Sequence, residues 1–146
     1  MKRILLSIVA LFTFFSSVAY SIDVHRLDYV NIEEVIIKAE QGDAEAQCTL
    51  GFCLLRGKYV DKDVRNALEW LRKSAEQECS DAQSLLGMTY YFGNDRIKQN
   101  KDVGKYWLRR AAKNGSQFAK LRLRVIEGIE KREEERERML IFLNEL

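Results

Sequence analysis

Cys48, Cys53 and Cys79 are the residues of this chain best suited to covalent chemistry, and His25 is its single histidine. Two thiols can close a disulfide, and a thiol beside an imidazole can act as a nucleophile. Cys48 and Cys53 fall at i, i+5 of one helical stretch, which sets their Cα atoms about 8 Å apart, too far for a bridge. Cys79 lies in a turn not far from the start of the Cys48 helix. Cys48–Cys79 is the more plausible disulfide pair; the alternative is two small core residues and one free turn thiol. His25 precedes the first helical stretch with no cysteine or carboxylate cluster around it, and reads as an exposed lead-in residue. One histidine excludes zinc sites built on two or more, and any catalytic triad would have to use it. Glu33-Glu34 and Glu133-Glu134-Glu135 are adjacent carboxylates with no sign of an enclosed pocket around them. They read as solvated helix faces rather than acid–base machinery. No catalytic residue, metal or cofactor is assigned.

The elements that carry these residues form a repeat. Ala39, Gln41, Ala46, Gln47, Leu50, Gly51 and Gly57 recur 36 residues on as Ala75, Gln77, Ala82, Gln83, Leu86, Gly87 and Gly93. Such a period marks stacked supersecondary units. With no proline and 32% charged residues, the composition favours an all-helical protein. The spacing predicts a first helix from about Leu27 to Gln41, then Gly42-Asp43 as stop and cap. Helices follow over 44–56, from the cap Asp63 to about Gln77, over 81–92 and over 101–113. The second loop is one residue longer, so Trp70 and Trp107 stand 37 apart. Ala46 and Ala82 suit helix crossings. Gly51 and Gly87, each costing about 1 kcal/mol of helix propensity, imply tighter ones. Gly57 and Gly93 permit positive φ at helix ends. Trp70 and Trp107 are expected to fill the space between helices, and Tyr90 to take a core position. A third copy begins at Asn114-Gly115-Ser116, but Arg124 replaces its packing glycine and the helix runs on.

Residues 1–19 read as a secretory signal. Lys2 and Arg3 precede the apolar run Ile4–Phe15, and Ser17 and Ala19 stand at the small positions before a cut. The run is too short to span a bilayer comfortably. Cleavage would remove two of the 24 basic residues and leave 22, balancing 22 acidic ones. A neutral mature chain has no electrostatic reason to bind nucleic acid or a membrane. The signal looks bacterial, and the expected destination is the periplasm or the exterior. The organisation is then 1–19 signal, 20–38 lead-in and capping helix, 39–123 repeats, and 124–146 a charged helix with an apolar end.

The pattern A-x2-G-x3-A-Q-x2-L-G-x2-[L/Y]-x2-G, followed by D/N-x3-[A/G]-x2-W-L-x3-A, resembles the Sel-1-like repeat, a tetratricopeptide-related αα-hairpin. The resemblance covers residues 39–123. It departs at Glu78, where the turn glycine is expected, at Gly104 for the usual alanine, and at Arg124. It implies a right-handed α-solenoid acting as adaptor or scaffold. Short exported bacterial members include cysteine-rich proteins and immunity proteins that neutralise a periplasmic toxin. The cysteine-rich members pair residues eight apart, and no two cysteines here have that spacing.

The expected function is therefore protein–protein interaction without catalysis: a periplasmic adaptor, or an immunity protein covering a toxin or effector. The alternatives are a cysteine-containing cell-wall or β-lactam hydrolase, or a structural cap of an envelope assembly. The hydrolase would need a polar pocket with an activated nucleophile, and the sequence shows none. Aromatic residues are the usual interface anchors, which marks Tyr59, Tyr91, Phe92, Tyr106 and Phe142 as candidate partner contacts. Favourable and unfavourable i, i+4 charge pairs nearly cancel over Glu127–Arg138, so that helix depends on its ends. Its apolar Met139–Leu143 cluster should bury, either back on the last repeat or against a partner.

Overall fold

The computed structural model describes residues 30–94 and 96–145; the signal reading and His25 lie outside them. Six α-helices follow one another among the described residues: α1 Ile32–Glu40, α2 Ala44–Arg56, α3 Val64–Glu76, α4 Ser80–Phe92, α5 Lys101–Lys113 and α6 Gln117–Asn144. No strand occurs among the described residues; an isolated bridge joins Asn94 and Ile97 in the α4–α5 loop. The helices start where a side-chain oxygen meets an unpaired backbone N–H. Asn31 accepts from Glu34, Asp43 from Ala46, Asp63 from Asn66, Asn100 from Val103 and Ser116 from Ala119. α4 is the exception, capped by Cys79.

Each helix packs mainly on its neighbours in sequence, so α2–α3 and α4–α5 are stacked hairpins flanked by α1 and α6. The core is continuous in three parts. Ala39, Ala46, Leu50, Leu54 and Ala67 join α1 to the first hairpin. Cys48, Phe52, Leu71, Ala75, Ala82, Leu85 and Leu86 join the two hairpins. Met88, Tyr91, Leu108, Ala111, Ala119 and Ile126 join the second hairpin to α6.

Helices α2 and α4 are buried on more sides than one apolar stripe predicts. Cys48 and Phe52 are buried together with Ala46, Leu50 and Leu54, because α2 has α1 and α3 beside it and the second hairpin against it. Gly51 and Gly87 are buried where the paired helix crosses. A Cβ at Gly51 would lie 2.7 Å from Leu71 Cγ, and one at Gly87 would lie 2.6 Å from Leu108 Cγ.

Two expectations about aromatic residues are refined. Trp70 and Trp107 pack against the core clusters from the edge and are only half-buried. Leu71 and Leu108, one residue on, take the wholly buried position facing each glycine. The outer faces of the indoles lie under Lys73, 4.1 Å from the Trp70 ring, and Arg110, 5.5 Å from the Trp107 ring. Tyr91 is buried more deeply than Tyr90. Tyr90 is half-buried, packs against the core joining the hairpins, and its hydroxyl accepts from Arg72. Tyr91 is 6% exposed and packs with Met88, Leu108 and Ile126. Gly104 is the reason, since without a Cβ it admits the Tyr91 backbone against α5.

Candidate partner-binding surface

The candidate anchors divide. Tyr59 (44% exposed), Phe92 (38%), Tyr106 (55%) and Phe142 (59%) remain open to a partner. Tyr91 does not, and its place among the contact residues is corrected. Its hydroxyl donates to Glu130 at 3.4 Å, and burial and that carboxylate push its pKa up to about 12. The open residues do not form one cluster by sequence position. Tyr59 belongs to the α2–α3 loop and Phe92 to the end of α4, which the fold brings to the same end of the stack. Tyr106 lies on α5 and stacks edge-on with Trp107 at 5.3 Å. Phe142 belongs to the last turn of α6.

Helix α6 carries the largest uncovered apolar surface. Its first half packs on the second hairpin through Phe118, Ala119, Leu123 and Ile126. Lys105, near the start of α5, then holds Glu130 at 3.1 Å. That contact fixes α6 antiparallel to α5 and marks where the packing stops. Residues 131–145 are exposed throughout. Some twenty ångströms of helix thus project beyond the loop end of the stack, by a rise of about 1.5 Å per residue. Met139, Leu140, Ile141, Phe142 and Leu143 are 52–60% exposed, so among the described residues the apolar end does not fold back on the last repeat. Leu121, Val125 and Ile129, four apart and exposed, form a stripe on the packed half of the same helix. Val125 stands at the repeat position of Met88, which is buried one unit earlier. The stripe is the face that a further hairpin would cover.

Along the opposite end runs a ladder of amides, which explains the Ala-Gln of the repeat. Gln47 Nε2 donates to Ala39 O at 3.1 Å, and its Oε1 accepts from Gln77 Nε2 at 2.9 Å. One unit on, Gln83 Nε2 donates to Ala75 O at 2.9 Å, and its Oε1 accepts from Asn114 Nδ2 at 2.9 Å. Both glutamines are buried, where an unpaired amide would cost about 1–3 kcal/mol. The sequence displays both residues at repeat spacing, yet their polar type hides the role. Glu78 joins the ladder from the position where Gly42 and Gly115 turn the chain. Its φ is +66°, positive like theirs at +97° and +94°. Hydrogen bonds from Arg110 and Asn114, and one from Gln83 at 3.2 Å, hold its carboxylate. They lower its pKa from an ordinary 4.5 to about 2. A depressed pKa stabilises the fold above the unfolded value, and the contribution disappears as pH falls from 4.5 towards 2. Glu78→Gln should therefore flatten the acid limb of stability in that window, most visibly at low salt. Urea melts of both proteins at stepped pH check this; parallel acid limbs would contradict it.

The cysteines meet in part. Cys53 is fully buried, and burial raises its thiol pKa. Cys48 is buried in the core between the hairpins, and Cys79 packs on the same core. Both are thiols, and they meet at one core. The neighbouring Cys48 thiol lowers the Cys79 pKa to about 6 against its partial burial, with smaller help from the backbone at Ala82 and Asp81 and from the Ser74 hydroxyl. Cys79 and burial together raise the Cys48 pKa well above the ordinary thiol value. Cys79 is thus the thiol of this chain whose surroundings favour the thiolate, which the sequence did not show. The signal was available in the period: Cys79 stands 36 residues after Asp43, the cap of α2. No group of three or more potential metal ligands occurs among the described residues, and no helix there is long and apolar enough to cross a membrane.

Stacked αα-hairpins closed by a ladder of repeat amides define a helical repeat protein of the solenoid class. The Sel1 repeat matches residues 44–79 and 80–116, half of the chain, and the chain belongs to that family. Solved structures agree. A Sel1 repeat protein from Oxalobacter formigenes is 31% identical with a TM-score of 0.59, over 64% of this chain and 69% of its own. A protective antigen of uropathogenic Escherichia coli with an SLR fold is 35% identical with a TM-score of 0.62, over 67% of this chain and 21% of its own. Cysteine-rich protein B of Helicobacter pylori is 25% identical with a TM-score of 0.56, over 60% of this chain and 65% of its own. Among curated proteins, the secretory immunoglobulin A-binding protein EsiB of E. coli is 40% identical over 48 residues, 33% of this chain. The chain spans about a tenth of that relative's length (10%).

Proposed function

We propose that this chain is an exported protein-binding module, an adaptor or an immunity protein that covers a functional surface of its partner. The observation that carries the reading is the uncovered apolar surface of α6, presented on a repeat stack. Contiguous exposed apolar patches on a folded protein mark interaction sites. Here they lie on both the packed and the projecting halves of one helix. The mechanism is steric: the stack holds α6 at a defined angle, and the partner takes the place that a further hairpin would occupy. EsiB, whose name records binding of secretory immunoglobulin A, supports protein binding as a use of such repeats. Catalysis has less support, because Cys79, whose surroundings favour the thiolate, faces Cys48 and the Ser74 hydroxyl rather than a base.

The test uses the tagged chain in its own host, with envelope and cytosolic fractions analysed separately. The chain should fractionate with the envelope or medium and capture a stoichiometric protein partner. Val125→Glu and Phe142→Asp, each on an exposed position, should leave the helical circular dichroism unchanged and reduce capture at least tenfold. Equal capture by wild type and both variants would remove α6 as the binding surface. Retention in the cytosol would remove export.

A further inference from the structure

We propose that Cys48 and Cys79 are a reactive dithiol that closes to a disulfide across the seam between the two hairpins, with Cys79 the exchanging thiol and Cys48 the resolving one. The pair lies on different elements, Cys48 in the second turn of α2 and Cys79 at the cap of α4. α3 intervenes in sequence, so the bond would tie the first hairpin directly to the second. Cys79 packs against the same core that holds Cys48, and a disulfide requires closure to about 2.05 Å.

Their surroundings divide the labour. Cys79 is partly exposed and can be reached from solvent; Cys48 is 8% exposed and cannot. The Cys48 thiol, the helix N-terminus and the Ser74 hydroxyl favour thiolate at Cys79. Every other described helix has an oxygen-bearing residue at this cap position. Sulfur is a poor substitute as a cap, and α4 has no side-chain cap hydrogen bond. What the substitution supplies is a nucleophile.

The oxidant is an external disulfide of the glutathione class. Cys79 thiolate attacks one of its sulfurs, a new S–S bond forms, and the first thiolate leaves and takes up the proton that Cys79 gave. Cys48 then loses its proton and attacks Cys79 Sγ, and the second thiolate leaves with that proton. Two cysteine thiols are oxidised and one external disulfide is reduced to two thiols. Cys53, wholly buried and five residues along α2 from Cys48, takes no part and serves as an internal control.

The experiment treats the folded full chain with oxidised glutathione, quenches in acid, then unfolds and alkylates it. The wild type should keep one alkylated cysteine, Cys53, and yield a linked peptide pair containing Cys48 and Cys79. Its Tm should rise on oxidation and return with reductant. Cys48→Ser and Cys48→Ala should each accumulate a stable glutathione adduct at Cys79, and Cys79→Ser should leave Cys48 alkylatable. Two independent replacements at Cys48 guard against misfolding of one, and circular dichroism checks each fold. Three alkylated cysteines in the treated wild type, a persistent wild-type adduct at Cys79, or a bridge to Cys53 would each overturn the proposal.

Discussion

Leu71→Ala is expected to lower the unfolding free energy by about 2–5 kcal/mol, the range for a buried leucine whose cavity only partly collapses. Leu71 is wholly buried and central to the core joining the hairpins. The informative result is its coupling to Gly51. Alanine in place of a mid-helix glycine gains about 1 kcal/mol of helix propensity. At Gly51 the new methyl would meet Leu71 Cγ at 2.7 Å, Leu71 Cδ2 at 3.0 Å and Ala67 O at 3.1 Å. Leu71 is enclosed and cannot swing clear, so overpacking of about 1–3 kcal/mol should exceed the propensity gain. Gly51→Ala alone is then destabilising. In the Leu71→Ala background two of those three contacts disappear, and the methyl enters space that the leucine left. Gly51→Ala should there be neutral or stabilising. Urea denaturation of the four proteins of this cycle gives the coupling, expected at about 1–3 kcal/mol. Additive losses within about 0.5 kcal/mol would show that glycine and leucine do not share the space.

That coupling also shows what the sequence could and could not disclose. Glycine at a fixed period in mid-helix announces a close crossing, because nothing local justifies it. The caps Asp43 and Asp63, and the ends at Gly57 and Gly93, were legible for a similar reason: their physics is local to a few residues. Which bulky side chain enters each gap was not legible. Trp70 and Leu71 are adjacent and both apolar, and a difference of 100° around the helix decides which one faces Gly51. The deeper burial of Tyr91 than of Tyr90 has the same origin, since it depends on an approach of α5 to α4 that no spacing encodes. Glu78 is a third case. The repeat requires a left-handed turn there, and the sequence offers a residue that resists it. Its compensation comes from Arg110 and Asn114, more than thirty residues away. The Cys79 site was half legible, as a turn cysteine near the Cys48 helix; what favours its thiolate is first the Cys48 thiol, which only the fold brings beside it. The apolar end of α6 was legible as a cluster needing cover, and the fold decides against one of its two destinations by projecting that end into solvent.

Gly104→Ala should destabilise the protein by about 1–3 kcal/mol or more, although alanine is the usual residue at this repeat position. The first repeat has Ala67 there without strain, facing a hairpin of ordinary spacing. In the second repeat the hairpin is tighter. A Cβ at Gly104 would lie 2.6 Å from Tyr91 Cβ, 2.6 Å from Tyr91 N and 2.7 Å from Tyr91 Cα. Two of these are backbone atoms, so no rotamer change can relieve the contact; α4 and α5 would have to separate. The lengthened loop holds them together. Asn94 and Ile97 exchange backbone hydrogen bonds at 2.9 and 3.1 Å, and Gln99 Nε2 donates to Tyr91 O at 3.0 Å. Asn100 N bonds Tyr90 O at 2.8 Å. Separation would also lift Tyr91 from the core that seats α6, so the loss should reach α6. Gly128→Ala is the control. Nothing lies within 4 Å of a Cβ there, and only the propensity gain of about 1 kcal/mol remains. Opposite signs for the two substitutions, read in parallel urea melts and in hydrogen exchange along α6, are the expected result. A stabilising Gly104→Ala would mean that the hairpins of the two repeats share one spacing, and that the buried place of Tyr91 has another cause.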